Sequence, residues 1–389
     1  MISSSPFTFI TTTLSLFFLI QRVNSQLPAT RTFTFINHGD FAEGVAEYGA
    51  TYSEIRNEVY NFDIFPFSLC FYNTTPGAYV LAIRGGVPGD RREPIRWVWD
   101  ANRRRPVGEN ATLSLRRDGN LVLAESNGVI ANGRRRLVSR DSDADGSDGP
   151  YSLVFEEPGI IMYLNYSGEL IRYADWLGYT GNKVTFTTLP ENYVNSTVYD
   201  LLLKYDEPPP ESSRDLNITL QKLNYNATYS FLRLGSDGNV KIFTYNGVVR
   251  YPRWEQSFAY FPDYHVRECA LPSRCGQFGL CDRGMCVACP SPKGLLGWSE
   301  GCAPPQLGQC GGGGKVGYYE IRGAEHFLTL LVSADGQMTV AECRRRCSRD
   351  CKCKGFVYQE NTSLCLTVPL LATLIREVNT SVVYVKYLK

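Results

Sequence analysis

Histidine is scarce in this chain, and recognisable catalytic motifs are missing. Only three histidines occur in 389 residues, His38, His265 and His326. None of them lies in a metalloprotease pattern, and no Gly-x-Ser-x-Gly elbow is present. We therefore expect a protein that is not an enzyme and that uses no cofactor.

The chain also has no large excess of positive or negative charge, because its formal net charge is only +1. This near balance in the whole chain argues against a nucleic-acid partner. One segment departs from it: residues 84–140 contain 13 arginines, no lysine and six acidic residues. Two interpretations stay open. The arginines form a solvated face of a β domain, or they contact an acidic polymer such as a uronic-acid polysaccharide through paired Arg–carboxylate hydrogen bonds.

Apolar runs long enough to cross a membrane are missing too. The run Phe7–Ile20 is shorter than the ~20 residues that a spanning helix needs, and small residues suited to signal-peptide cleavage follow it. We predict a signal peptide over residues 1–25, no membrane span after its cleavage, and secretion to the extracellular space; an uncleaved anchor is the alternative. Eight glycosylation sequons agree with secretion: Asn73, Asn110, Asn165, Asn195, Asn217, Asn226, Asn361 and Asn379.

Twelve of the 13 cysteines are concentrated near the C-terminus, in two groups of six. They are Cys269, Cys275, Cys281, Cys286, Cys289 and Cys302, then Cys310, Cys343, Cys347, Cys351, Cys353 and Cys365. In a secreted chain such a set predicts disulfides, although spacing alone allows 15 pairings for six cysteines. The alternative is zinc ligation, but no histidine lies among the cysteines, so we expect no metal site. The remaining Cys70 is predicted to be a buried thiol, with an intermolecular disulfide as the alternative.

Residues 26–264 show the pattern of β structure. Short runs of aromatic and β-branched residues alternate with polar ones and are broken by Gly, Pro and Asn. An Asp-Gly-Asn turn lies within each of the stretches 113–123 and 229–243, which predicts two hairpins. The acidic stretch 141–150 is predicted to be a linker between domains 26–140 and 151–264. It begins like an EF-hand calcium loop but lacks the closing glutamate.

The strings at residues 97–103 and 113–123 resemble the bulb-type lectin domain of plant S-locus-glycoprotein-like proteins. That resemblance implies tandem β-prisms, the first of them abbreviated. The family's sugar pattern, Gln-x-Asp-x-Asn-x-Val-x-Tyr, falls on Arg116, Asp118, Asn120, Val122 and Ala124. It implies that Asp118 and Asn120 bond the axial 2-hydroxyl of mannose and that Val122 packs on the ring. Because the Gln and Tyr are replaced, we expect a degenerate, weak site; the alternative is that Asp118 and Asn120 remain only as turn residues.

The C-terminal third resembles two further modules of the same plant proteins. Residues 265–303 resemble an EGF-like module, which implies the pairs Cys269–Cys281, Cys275–Cys286 and Cys289–Cys302. Residues 304–389 resemble a PAN/apple domain, which implies Cys343–Cys365, Cys347–Cys353 and Cys310–Cys351. Residues 338–347 are predicted to form a helix, with Thr339 and Glu342 as a capping box.

The predicted fold class is therefore mainly β: tandem bulb-type lectin-like β-prisms, a disulfide-rich EGF-like module and a small α+β PAN/apple domain. The whole chain resembles the epidermis-specific secreted glycoproteins of the S-locus-glycoprotein-like family. Two functions stay open. The first is non-catalytic binding of a glycan or cell-wall polysaccharide. The second is a structural or protein-interaction role at the plant surface, as signalling partner or barrier component, with an extracellular receptor or a second copy as partner.

Overall fold

The computed structural model describes residues 26–39, 45–128, 136–156, 159–177, 183–188, 199–204, 216–219, 229–262, 266–308, 315–376 and 380–389. The predicted signal peptide lies outside these residues. Within them the fold is mainly β, as predicted, with a single α-helix. Short 3-10 helices are found at Ala29–Arg31, Glu47–Gly49, Val266–Ala270 and Phe327–Leu330.

Residues 26–128, which we call the first β unit, contain two sheets. The strands are β1 (Phe33–Ile36), β2 (Thr51–Glu54), β3 (Asp63–Ile64), β4 (Phe67–Thr75), β5 (Ala78–Gly85), β6 (Arg96–Asp100), β7 (Thr112–Leu115) and β8 (Leu121–Ala124). One sheet has the order β2-β4-β5-β6 with β3 also on β4, and the other has the order β1-β7-β8. Phe71, Leu81 and Leu113, at most 3% exposed, join the two sheets in one core.

Residues 136–262, the second β unit, contain three further sheets. The strands are β9 (Leu137–Arg140), β10 (Asp148–Glu156), β11 (Gly159–Tyr166), β12 (Glu169–Leu177), β13 (Lys183–Thr188), β14 (Tyr199–Lys204), β15 (Leu216–Thr219), β16 (Ser230–Leu234), β17 (Val240–Tyr245) and β18 (Trp254–Ala259). Each sheet pairs consecutive antiparallel strands: β9 to β12, β13 to β15, and β16 to β18. The short connections between β10 and β11 and between β11 and β12 favour this up-and-down order.

The predicted linker 141–150 lies inside this unit. β9 and β10 pair with each other, so residues 141–147 connect the two strands of a hairpin and residues 148–150 belong to β10. The Asp and Gly residues suggested a flexible linker, but they serve a turn in which Asp145 Oδ1 accepts a hydrogen bond from Ser147 N (2.8 Å). The first β unit therefore ends before residue 137.

The cysteine module (residues 266–308) and the C-terminal module (residues 315–389) carry the remaining elements. These are β19 (Leu280–Asp282), β20 (Met285–Ser291), β21 (Gly294–Gly297), β22 (Val316–Arg322), β23 (Ala324–His326), β24 (Gly336–Gln337), α1 (Val340–Arg349), β25 (Gly355–Gln359), β26 (Leu364–Val368), β27 (Leu374–Arg376) and β28 (Ser381–Leu388). The helix begins after Thr339, whose hydroxyl and backbone form the predicted capping box with Glu342.

The two modules share a sheet, although their cysteines fall into separate groups. β19 of the cysteine module pairs in parallel with β27, Leu280 opposite Leu374, giving the sheet order β21-β20-β19-β27-β23. One continuous core contains Met162 of the second β unit, Phe278 of the cysteine module and Leu374, all fully buried. The last three parts of the chain are thus packed as one body.

Candidate functional site

The sugar-site residues implied by the lectin resemblance lie on the β7–β8 hairpin. Asp118 Oδ1 accepts a hydrogen bond from Asn120 N (3.0 Å), and Gly119 N donates to Arg116 O (2.9 Å), which closes a tight turn. The backbone N–H of Asn120 is the main reason why the pKa of the exposed Asp118 carboxyl lies below its usual value. Asp118 is therefore ionised at neutral pH, and one of its oxygens is already used by the turn.

The strand that follows presents two of these residues on one surface. Val122 is half-buried and Asn120 is exposed, while Leu123 on the opposite face packs into the core. Ala124, at the position of the family's tyrosine, is only 5% exposed. Asp118 and Asn120 are thus accessible at the hairpin turn and Val122 is partly accessible, while Ala124 cannot supply the polar contact of a tyrosine hydroxyl.

The arginines described in the segment 84–140 are of two kinds, exposed and enclosed. Those on the exposed surface, as a solvated face requires, are Arg91, Arg92, Arg104, Arg105, Arg116 and Arg117. Arg84 and Arg140 are at most 9% exposed, and Arg103 has a side chain that is 10% exposed. Arg84 donates to Glu54 in a short hydrogen bond, and Arg140 Nη2 lies 2.7 Å from Asp100 Oδ2. These arginines are inside the fold because they have carboxylate partners there.

The first and second β units are joined by a half-buried ion pair. Arg233 Nη1 and Nη2 donate to Glu47 Oε1 (2.9 Å) and Oε2 (2.6 Å), and Trp97 N also donates to Glu47 (3.1 Å). Burial by itself raises the pKa of Glu47, but the hydrogen bonds and charge of Arg233 outweigh it and hold the pKa below its usual value. Residues 186 positions apart are thereby fixed to each other, a contact that no sequence pattern indicates.

A groove of about 340 Å³ lies beside this ion pair, between β6 of one unit and β9 and β16 of the other. Its lining combines tryptophan, aliphatic and arginine side chains. They are Trp97, Val98, Trp99, Asp100, Ala101, Arg103, Arg136, Leu137, Val138, Arg140, Leu232, Arg233 and Leu234. Trp99 belongs to the string at residues 97–103, and Arg136 lies near the end of the arginine-rich segment 84–140. Only the packing of the two units brings Trp99 and Arg136 to one groove.

Four of the eight sequons fall where the side chain is described. Asn110, Asn165 and Asn361 are exposed, and Asn73 is half-buried, with its Oδ1 accepting a hydrogen bond from Thr51 Oγ1. Asn195, Asn226 and Asn379 lie outside the described residues, and Asn217 lies in β15. Glycans on the exposed asparagines would project into solvent.

The structure joins the cysteines in the pairs that the resemblance implies, as far as the described residues extend. The pairs are Cys269–Cys281, Cys275–Cys286, Cys289–Cys302, Cys343–Cys365 and Cys347–Cys353. Cys351 is disulfide-bonded as well, and its expected partner, Cys310, lies outside the described residues. Cys70 is a free, fully buried thiol, and burial raises its pKa to about 12.

No cluster of three or more His, Cys, Asp or Glu side chains is placed to hold a metal ion in the part of the chain that the structure describes. None of the helices described there is long and apolar enough to cross a membrane.

Comparison with known proteins identifies one domain and the family of the chain. The model of the PAN-like domain family matches residues 314–368. EP1-like glycoproteins 2 and 1 of Arabidopsis thaliana are 42% and 41% identical, over 94% of this chain and 96% of theirs. The epidermis-specific secreted glycoprotein EP1 of Daucus carota is 37% identical, over 78% of this chain and 95% of its own. Identities at this level over almost the full length show that the chain belongs to the family of EP1-like glycoproteins.

Proposed function

We propose that the protein is an extracellular, non-catalytic glycoprotein that binds carbohydrate weakly through the outer surface of the β7–β8 hairpin. The observation that supports this proposal is the exposure of Asp118 and Asn120 at the hairpin turn, with the half-buried Val122 two residues further along the chain. The Asp118 carboxylate and the Asn120 amide are suited to a pair of sugar hydroxyls, and Val122 offers an apolar contact for the ring.

Secretion is supported by two independent features. Five disulfides with described partners need an oxidising compartment, and a relative is named a secreted glycoprotein. The relatives are named as glycoproteins and not as enzymes, which agrees with a binding role.

The affinity expected of the hairpin surface is low. Two of the five family positions, now Arg116 and Ala124, no longer supply their polar contacts. At ~1 kcal/mol for each lost hydrogen bond, the site is weaker than a complete one by roughly 1–3 kcal/mol. A multivalent display of the sugar is therefore the right probe, because linked weak contacts raise the apparent affinity.

A glycan array probed with the secreted protein tests the proposal. Mannose-containing glycans should retain the wild type, and Asn120→Ala should abolish retention because the amide is exposed and its loss leaves the turn intact. Arg117→Gln, an exposed neighbour outside the sugar pattern, is the matched control. Absence of wild-type binding to every neutral glycan would refute the proposal.

A protein-interaction role is the second candidate, and one surface of the cysteine module favours it. Three apolar side chains on the paired strands β20 and β21 are exposed: Met285 (65%), Val287 (38%) and Leu296 (54%). Exposed apolar side chains so close together are typical of a contact surface. Sedimentation that shows a dimer in the wild type and a monomer in Leu296→Ser would identify a second copy as the partner. A monomer at every concentration would rule that partner out.

A further inference from the structure

The groove between the two β units has the size and framework of a small-molecule site. Its volume of about 340 Å³ lies within the range of ligand pockets, about 300–1,000 Å³. It is also held rigidly, because the Glu47–Arg233 ion pair on one side and the Arg140–Asp100 pair on the other connect its walls. A site with fixed walls loses little entropy when a ligand enters it.

An irregularity in β6 turns one tryptophan toward the groove opening. The ladder between β5 and β6 pairs Ile83 with Trp99 and Arg84 with Trp97, so Val98 is the extra residue of a β-bulge. Trp97 is 2% exposed, whereas Trp99 is 45% exposed and lines the groove. Bulges redirect side chains in this way, and an exposed indole face is a stacking surface for the C–H face of a sugar ring.

The charged residues of the lining include one acid and four arginines: Asp100, and Arg103, Arg136, Arg140 and Arg233. Three of the arginines are used within the fold. Arg103 and Arg140 pair with Asp100, and Arg233 pairs with Glu47. Arg136 is half-buried and has no ion-pair partner among the residues that the structure describes. The groove thus contains a fixed excess of positive charge and one guanidinium ready to bind an anion.

We propose that this groove binds one uronic-acid residue of an acidic polysaccharide, with the sugar ring on Trp99 and the carboxylate on Arg136. A guanidinium and a carboxylate form two parallel charge-assisted hydrogen bonds, which neither a neutral hexose nor a methyl-esterified uronate can match. The site is separate from the β7–β8 hairpin and does not depend on it.

Titration of the full secreted glycoprotein with a trimer of galacturonic acid, followed by calorimetry, tests the proposal. We expect saturable binding that weakens at high salt and that free mannose does not displace. The methyl-esterified trimer should bind at least 10-fold more weakly. Trp99→Ala and Arg136→Gln should each weaken binding of the acid by 10-fold or more, and Arg117→Gln, which changes the net charge equally but lies on the distant hairpin turn, should change it less than 2-fold.

The results that would overturn the proposal are equally distinct. Equal affinity for the acid and its methyl ester would show that the groove does not recognise the carboxylate. Equal losses in Arg136→Gln and Arg117→Gln would mean that only net charge matters. Displacement of the trimer by free mannose would mean that the trimer binds at the β7–β8 hairpin. Absence of binding at millimolar concentrations of the trimer would mean that the groove is not a binding site for it. A variant is included in this comparison only if its far-ultraviolet circular dichroism spectrum matches that of the wild type.

Discussion

The two Asp-Gly-Asn turns offer a direct test of how the same motif is used in different surroundings. Gly119 and Gly238 both have φ +81°, a conformation that side chains other than glycine rarely adopt. In each turn the Asp carboxylate accepts a hydrogen bond from the backbone N–H of the Asn, at 3.0 and 2.9 Å. Alanine at either position should therefore cost about 1–2 kcal/mol from backbone strain.

The two turns differ in what lies beside the glycine. A Cβ on Gly119 has no neighbour within 4 Å, but a Cβ on Gly238 would lie 2.8 Å from two ring atoms of Tyr151. That ring is 1% exposed, and its hydroxyl donates to Ser273 Oγ (2.7 Å) in the cysteine module. Because the ring is fixed at both ends, overpacking adds about 1–3 kcal/mol. We expect a total of roughly 2–5 kcal/mol for Gly238→Ala.

Urea unfolding, followed by tryptophan fluorescence and compared at the transition midpoints, measures the difference. Gly238→Ala should lower the midpoint clearly more than Gly119→Ala does, with an unchanged slope. In a Tyr151→Leu background, which removes the ring, Gly238→Ala should lower the free energy of unfolding only by the ~1–2 kcal/mol that backbone strain costs. Equal midpoints for the two single variants, or an undiminished effect in the Tyr151→Leu background, would refute this reasoning.

Three further predictions concern the ion pair, the buried histidine and the disulfides. The pKa of Glu47 is lowered in the folded state, so the stabilisation by its carboxylate is present above about pH 4.5 and is lost as the pH falls below that. Glu47→Gln should lower the free energy of unfolding at pH 7 by about 3–5 kcal/mol. The variant should also show a smaller loss of stability than the wild type as the pH falls below about 4.5. Burial lowers the pKa of His326 to about 3 from 6.5. Because the unfolded chain then binds a proton that the folded chain does not, stability should fall as the pH drops through 6.5 toward 3. Thermal melts across this pH range should show a smaller fall in His326→Asn than in the wild type. Replacing Cys343 and Cys365 together by Ala should cost about 2–5 kcal/mol in urea unfolding, and an unchanged midpoint would contradict a structural role for this disulfide.

Structural features that depend on a few consecutive residues could be predicted from the sequence. The helix α1 with the Thr339–Glu342 capping box and both hairpins are where their patterns indicate, although the helix extends to Arg349. A capping box and a tight turn each depend on side chains within four residues of one another, so tertiary packing seldom overrides them.

Contacts between distant residues could not be predicted. The two cysteine groups suggested separate modules, yet Leu280 and Leu374 pair in one sheet across the division. Neither short strand carries a signal for its partner, because pairing in a sheet depends on which edges the rest of the fold brings together. The groove was missed for the same reason, since its walls come from strands of both β units.

The arginine-rich segment illustrates why composition alone misjudges a charged stretch. A run of like charges is usually placed in water, because burying a single guanidinium without a partner is costly. Here the compensating acids are Glu54, Asp100 and Asp148, which the fold brings to Arg84, Arg103 and Arg140. Arg136 differs from the exposed arginines of the segment in position, because it is half-buried and lines the groove. This is why Arg136→Gln and Arg117→Gln, identical in charge and different in position, should separate specific binding in the groove from general attraction to an acidic polymer.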